Sequence, residues 1–135
     1  MKLTREEALK LHREMWSDMQ TALAGGNDNN RIRSEFKERW VKSHFPEMEV
    51  KHYCFLCEYA LQMHNEKSDR PLAFFEGKKC CKYCPIDWRD DIYRGWSDNS
   101  YKGNGYDCEN GEVSWECSPI SEILALPERI VNENI

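Results

Sequence analysis

The sequence predicts a mainly α-helical protein with a small irregular or β region that is organised by cysteines. Apolar side chains recur at helical spacing in the first part of the chain, and two C-x2-C pairs follow. The expected architecture is an N-terminal helical hairpin packed on a four-cysteine zinc site. The 135 residues are expected to form one domain with three parts. These are the hairpin over 1–48, a zinc-knuckle core over 49–94, and a Gly- and Asn-rich acidic loop with a C-terminal helix over 95–135.

The first helix is predicted over residues 4–24. Thr4 and Glu7 fit a capping box, in which two side chains satisfy backbone N–H groups at the start of a helix. Gly25 and Gly26 are expected to end it. The apolar stripe that should face the core consists of Ala8, Leu11, Met15, Met19 and Leu23, with Trp16 beside them.

Two further helices are predicted in the middle of the chain. The second covers about 31–44 and ends before Pro46, because proline disfavours a helical conformation at the residue that precedes it. The third, shorter helix covers 58–67, after the first cysteine pair. The first and second helices are expected to pair as an antiparallel hairpin. The apolar side of the second helix consists of Ile32, Phe36, Trp40 and Val41.

The C-terminal third begins with turn-forming residues. Residues 95–117 are rich in Gly, Asn, Asp, Ser and Tyr, and a small hairpin is expected over 106–115. A short helix should follow, with Ser118 as its cap, Pro119 at its first position and Pro127 at its end.

Four cysteines have the spacing of a zinc site. Cys54 and Cys57 form one C-x2-C pair, Cys81 and Cys84 form the other, and 23 residues separate the pairs. Zinc prefers tetrahedral coordination by soft donors, and four thiolates supply it without leaving an open position for water. The sequence therefore predicts a structural zinc ion on these four residues, with an iron–sulfur cluster as the alternative.

Other residues leave the ligand set open. Cys80 is next to Cys81, although only Cys81 keeps the two-residue gap. Cys108 and Cys117 are alternatives that could replace a ligand or pair with each other under oxidation. His52 and His64 are near enough in sequence to join a mixed ligand set.

Charge and composition exclude several classes of protein. The net charge is −5, and residues 91–135 carry three basic and nine acidic side chains. A duplex-binding domain would instead show a basic face. The sequence contains no apolar run long enough to cross a bilayer. Seven cysteines without a signal peptide's apolar centre predict a cytoplasmic protein that binds metal through reduced thiols.

The sequence carries no recognisable catalytic motif, so a non-enzymatic protein is expected. H-E-x-x-H and the zinc deaminase signature are both absent from the chain. Asp90, Asp91 and Asp98 could bind a hard cation but are expected to be solvated acids. The alternative is a protein that binds, sequesters or processes a small nucleotide, in a pocket built from Arg89, Arg94, Lys102 and Tyr106.

Aromatic residues define two expected binding surfaces. A protein-binding surface is predicted from Trp96, Tyr101, Tyr106 and Trp115, beside the acidic tail. Homodimerisation through the first helix also stays open. The alternative is a zinc-knuckle nucleic-acid binder, whose residues would be Lys78, Lys79 and Lys82 with Phe55, Phe74, Phe75 and Tyr83.

These motifs together resemble a group of small uncharacterised proteins from phages and prophages of bacteria such as bacilli. The matching segments are CFLCEYA at 54–60, CKYCPIDW at 81–88, a further cysteine at 108 or 117, and SPISEI at 118–123. The resemblance implies a four-cysteine metal site on the two pairs and no known reaction. It also implies a bacterial host protein as the partner, such as a defence or transcription protein that this chain would inhibit. Cys80 and the acidic loop depart from the pattern.

Overall fold

The computed structural model describes residues 2–47, 54–72, 83–88 and 114–128. These residues are mainly helical, as the sequence predicted, and they contain no strand. One isolated antiparallel bridge joins Ile86 to Glu128. The helices are α1 (Arg5–Leu23), α2 (Asn30–His44), α3 (Phe55–Lys67) and α4 (Ile120–Leu124).

The predicted capping box is present at the start of α1. The Glu7 N–H donates to the Thr4 hydroxyl, and the Thr4 N–H donates to the Glu7 carboxylate, each at 3.1 Å. The helix ends where the glycines were expected to end it, and Gly25 has a positive φ of 74°. Glycine adopts this left-handed conformation without the steric penalty of a side chain.

α1 is the central element, because each of the other three helices packs on it. Asn29 caps α2 by accepting a 2.9 Å hydrogen bond from the Ile32 N–H. Trp40 links α2 to α1, since its Nε1 donates to the Asp18 carboxylate at 2.8 Å. The sequence predicted a contact between α1 and α2, whereas the packing of this hairpin on a zinc site stays a prediction. It gave no sign that α3 and α4 would also pack on α1.

The buried core surrounds α1. Met15, Trp16 and Met19 lie in it as predicted, whereas Leu11 and Leu23 are only partly buried. Leu9 and His12 are buried instead, because α1 contacts helices on several sides rather than along one stripe. The other helices and the 83–88 segment contribute Trp40, Val41, Phe55, Leu56, Ile86, Trp88, Ile120 and Ile123.

The start of α4 differs from the prediction. Pro119 is its N-cap and makes no side-chain capping bond, so Ser118 is not the cap. The Ser118 hydroxyl instead accepts the Ser114 N–H at 2.8 Å, and the Ser118 N–H donates to the Ser114 carbonyl at 3.0 Å. A local turn therefore uses the hydroxyl that was expected to cap the helix.

Much of the C-terminal third lies outside the described residues. The predicted 106–115 hairpin falls there except for its last two positions. Within the parts of the chain that are described, no helix is long and apolar enough to cross a membrane.

Candidate metal centre

The first cysteine pair lies at the start of α3. Cys54 is the N-cap residue, with extended backbone angles, and its sulfur accepts the Cys57 N–H at 3.4 Å. This is the bond that an Asp or Ser cap makes to the third residue of a helix. The sequence predicted that α3 would begin at residue 58, but it begins at Phe55. Cys57 therefore lies in the first helical turn, next to the Cys54 sulfur.

The surroundings of Cys54 favour its thiolate. A side-chain hydrogen bond from Cys57 is the main cause that lowers the pKa of Cys54 from 9.0 to about 6. Burial opposes this shift, and the positive charge of Lys37 supports it, as do the backbone N–H groups of Cys57 and Leu56. Thiolates are the form in which cysteine binds metals, and a helix N-terminus stabilises them.

Cys84 lies in a segment held by the C-terminal part of the chain. Its side chain is buried, and Pro85 beside it is fully buried. The Asp87 N–H donates to the Pro127 carbonyl at 3.0 Å, next to the bridge formed by Ile86. The second cysteine pair therefore ends in a fixed position within the core.

The described residues bring together only part of the predicted ligand set. Among them, no three His, Cys, Asp or Glu side chains are grouped closely enough to hold a metal ion. Cys54 and Cys57 are adjacent, whereas Cys84 does not complete a group with them. Cys81 lies outside the described residues, so the four-cysteine site stays a prediction. None of the four described cysteines forms a disulfide with another described residue.

The alternative ligands are distributed differently. Cys117 is exposed, and Cys80, Cys108 and His52 lie outside the described residues. The ring of His64 lies 6.3 Å from that of Tyr83, and its buried Nδ1 has no hydrogen-bond partner among the described residues. This contact places α3 against the residue that precedes Cys84.

Two predicted binding residues are less accessible than expected. Trp115 is only half-exposed, because it packs against the core and lies under Lys37. Phe55 is completely buried between Trp40 and Phe45, so the prediction that it stacks on a nucleic-acid base is wrong. The other aromatic and basic residues of the predicted surfaces and of the nucleotide pocket lie outside the described residues, apart from the half-buried Tyr83: Trp96, Tyr101, Tyr106, Phe74, Phe75, Lys78, Lys79, Lys82, Arg89, Arg94 and Lys102.

An open groove of about 440 Å³ lies between the N-terminal segment and α3. Gln62 joins its two sides, because its amide accepts the Leu3 N–H at 2.8 Å and donates to the Leu3 carbonyl at 2.7 Å. Lys2, Glu58 and Glu66 supply the charged groups of the groove lining.

Sequence reasoning missed two buried cations on α2. Arg33 is 3% exposed and Lys37 is 6% exposed. Arg33 donates to the Trp115 carbonyl at 2.8 Å, and the Lys37 ammonium lies 4.4 Å from the centre of the Trp115 ring. Both are spaced at helical intervals from Trp40, which is the signal that could have placed them on the buried side.

Comparisons with protein-family models, with curated proteins and with solved structures found no match to this chain. The case for its function therefore depends on the residues themselves.

Proposed function

We propose that this chain is a small zinc-binding accessory protein that acts by binding another protein rather than by catalysis. One observation carries the zinc proposal: the Cys54 sulfur caps α3 and accepts the Cys57 N–H, so that the two cysteines lie side by side. A tetrahedral zinc site needs four ligands, and two neighbouring thiolates at the start of one helix would supply two of them. The spacing of Cys81 and Cys84 supplies the other half.

The zinc in this proposal is structural. When bound, it would crosslink the start of α3 to the segment that contains Cys84. Structural zinc contributes on the order of 10–16 kcal/mol in small zinc-binding peptides, so one ion would be enough to hold these two segments together.

Metal content and native mass spectrometry of the reduced protein test the proposal. One zinc per chain is expected in the wild type, and Cys57→Ser should lose it. Cys117→Ser tests the alternative ligand: because Cys117 is exposed and lies outside the four-cysteine set, this variant should keep its zinc. A wild type without metal, or a Cys57→Ser protein that keeps its zinc, would show that the proposal is wrong.

The proposed partner is a protein of the bacterial host. This chain would bind and inhibit it in the cytoplasm, and host defence is the candidate process. Two features support a protein partner: the acidic C-terminal third and the resemblance to phage proteins that carry the same cysteine pattern. The acidic excess favours a partner with a basic surface. Capture from a bacterial lysate should retain such a protein on the wild type but not on Cys57→Ser, because loss of zinc would release the fold around the knuckle. Equal retention of the partner by the wild type and by Cys57→Ser would show that partner binding does not depend on zinc.

A further inference from the structure

The two cysteines at the start of α3 lie close enough for a covalent bond between their sulfurs. Cys54 is the N-cap, and its carbonyl accepts the Glu58 N–H at 3.0 Å, so Cys54 and Cys57 belong to one hydrogen-bonded helical turn. Three residues of helical rise and rotation place two Cα atoms about 5 Å apart. A disulfide spans Cα separations of about 4.4–6.8 Å, so the backbone of this turn already has the geometry that a disulfide needs.

The Cys54 side chain is directed over the same turn. Its φ and ψ are −127° and 112°, which is extended rather than helical backbone. Its sulfur therefore lies 3.4 Å from the Cys57 nitrogen, and the Cys57 side chain is a hydrogen-bond partner of that sulfur. Rotation of the two side chains about their Cα–Cβ bonds is enough to join the sulfurs without a change of the backbone. Both side chains are half-buried, so a small oxidant can reach them.

We propose that Cys54 and Cys57 form a reversible modification site, a dithiol that a low-molecular-weight disulfide such as glutathione disulfide oxidises to an intramolecular disulfide. The placement of the two sulfurs is sufficient for this reaction, and no metal is needed for it. In compartments that keep thiols reduced, disulfides are usually transient and serve redox sensing or catalysis. Oxidation would also remove two of the four predicted zinc ligands, because zinc binds thiolates. That consequence alone rests on the zinc-binding function proposed above.

The oxidation takes place as two thiol–disulfide exchanges. In the first, one cysteine sulfur, as its thiolate, attacks a sulfur of glutathione disulfide. A new S–S bond forms, the original S–S bond breaks, and one glutathione leaves as a thiolate that takes up the proton lost by the cysteine. In the second, the other cysteine sulfur attacks the first in the same way and releases the second glutathione. The two cysteines lose two electrons and two protons, and glutathione disulfide gains them.

One tryptic peptide reports on both cysteines. Lys51 and Lys67 are consecutive cleavage sites, so residues 52–67 form a peptide that contains Cys54 and Cys57 and no other cysteine. The full-length protein is freed of metal with a chelator, incubated with glutathione disulfide, treated with an alkylating reagent that blocks the remaining thiols, and digested. In the wild type, this peptide should lose two hydrogen atoms and escape alkylation. Dithiothreitol should reverse both changes.

Two variants and one spectrum test whether the helical turn itself holds the dithiol. Cys57→Ser should accumulate a glutathione on Cys54, because the turn no longer contains a second thiol to displace it. Cys117→Ser is the control, since Cys117 is exposed and outside α3, and its 52–67 peptide should be oxidised as in the wild type. Oxidation should leave the helical circular dichroism unchanged, because the disulfide fits the existing turn. Loss of helix on oxidation, or a disulfide to a cysteine outside this peptide, would contradict the proposed site.

The outcomes separate this site from the zinc proposal. The zinc-loaded protein, treated with glutathione disulfide beside a chromophoric chelator, should release one zinc for each disulfide formed in the 52–67 peptide. If the wild type binds no zinc but this peptide is oxidised, the zinc proposal is wrong and the dithiol site stands. If the wild type binds zinc and the peptide stays reduced after the metal is removed, only the dithiol site is wrong. Oxidation of the peptide with the zinc retained would overturn the link between the two.

Discussion

The Trp88 ring lies edge-on to the imidazole of His12 in the core, with 6.2 Å between the ring centres. Both side chains are about 2% exposed. Neither ring nitrogen of His12, nor the indole nitrogen of Trp88, has a hydrogen-bond partner among the described residues. Buried polar groups without partners destabilise a fold, and a charge on His12 would destabilise it further. The stability of the folded chain therefore depends on His12 remaining neutral.

Acid should unfold the protein through His12. Burial, followed by the positive charges of Lys37 and Arg13, lowers the pKa of His12 from 6.5 to about 3. Between these two values the unfolded chain binds the proton and the folded chain does not, so stability falls as pH falls from about 6.5 to about 3. The slope due to this residue approaches about 1.4 kcal/mol per pH unit. Urea unfolding at a series of pH values measures it.

His12→Leu should remove this slope, because leucine fills a similar volume and does not titrate. At pH 8, where His12 is neutral in both the folded and unfolded chain, the variant should be at least as stable as the wild type, because it removes two buried ring nitrogens that have no partner among the described residues. The stability difference should move in favour of the variant as the pH falls. A constant difference between pH 8 and pH 4 would show that His12 is not held neutral by burial.

Asp28 should stabilise the protein through Arg33. Its carboxylate accepts two hydrogen bonds from the buried guanidinium, at 2.8 and 2.9 Å, and these lower the pKa of Asp28. Asp28→Asn would keep one acceptor oxygen but would remove the negative charge that balances Arg33, whose other acceptor among the described residues is the Trp115 carbonyl. The Asp28 side chain is one-third exposed, so water relieves part of the loss. We expect a loss of about 1–2 kcal/mol at pH 7, measured by chemical denaturation.

The sign of the pH dependence follows from the lowered pKa. The contribution of Asp28 is fully present above its unfolded pKa of 3.8 and is lost as pH falls through the lower folded value. Glu35→Gln is the control, because it breaks an exposed pair with Arg31 on the same helix and should change stability by less than about 0.5 kcal/mol. Equal losses from both variants would mean that the burial of Arg33 adds nothing to the Asp28 pair.

The helices were predictable because their signals are local. The Thr4 capping box, the glycines at 25 and 26 and the helical spacing of apolar residues give α1 within one residue at each end. α2 differs from its predicted range by one residue at its start. The start of α3 was misplaced by three residues, because a cysteine is not a usual helix cap and its role depends on the Sγ contact to Cys57.

The packing of distant segments was not predictable from local patterns. In the sequence, His12 is one of many polar residues of α1, but in the structure Trp88 packs against it and it is buried. From the sequence alone, Arg33 and Lys37 would be expected to be solvated cations of α2, but in the structure both contact Trp115. In the candidate metal centre, the spacing of the cysteines predicted that Cys54 and Cys57 would lie side by side, but it gave no sign that the Cys54 sulfur would cap α3.

The turn after α1 should depend on Gly25 and not on Gly26. Gly25 has a φ of 74°, and a Cβ atom there would meet no neighbour, so Gly25→Ala would add backbone strain alone. We expect it to destabilise the protein by about 1 kcal/mol. Gly26→Ala would make only an ordinary contact with the Leu23 carbonyl at 3.8 Å, and should be neutral or stabilise slightly. Thermal unfolding of both variants checks this, and equal effects would contradict the assigned turn.

Removal of zinc should destabilise the part of the fold that contains the cysteines. A chelator should lower the thermal unfolding temperature of the wild type, and added zinc should restore it, because metal that binds only the folded chain shifts the folding equilibrium. Cys57→Ser should unfold at the temperature of the chelated wild type and should not respond to either addition. Cys117→Ser should respond as the wild type does, since Cys117 is exposed and outside the predicted ligand set. An unfolding temperature of the zinc-loaded wild type that a chelator leaves unchanged, with the metal shown to be gone, would mean that the core around α1 holds the fold without the cysteine centre.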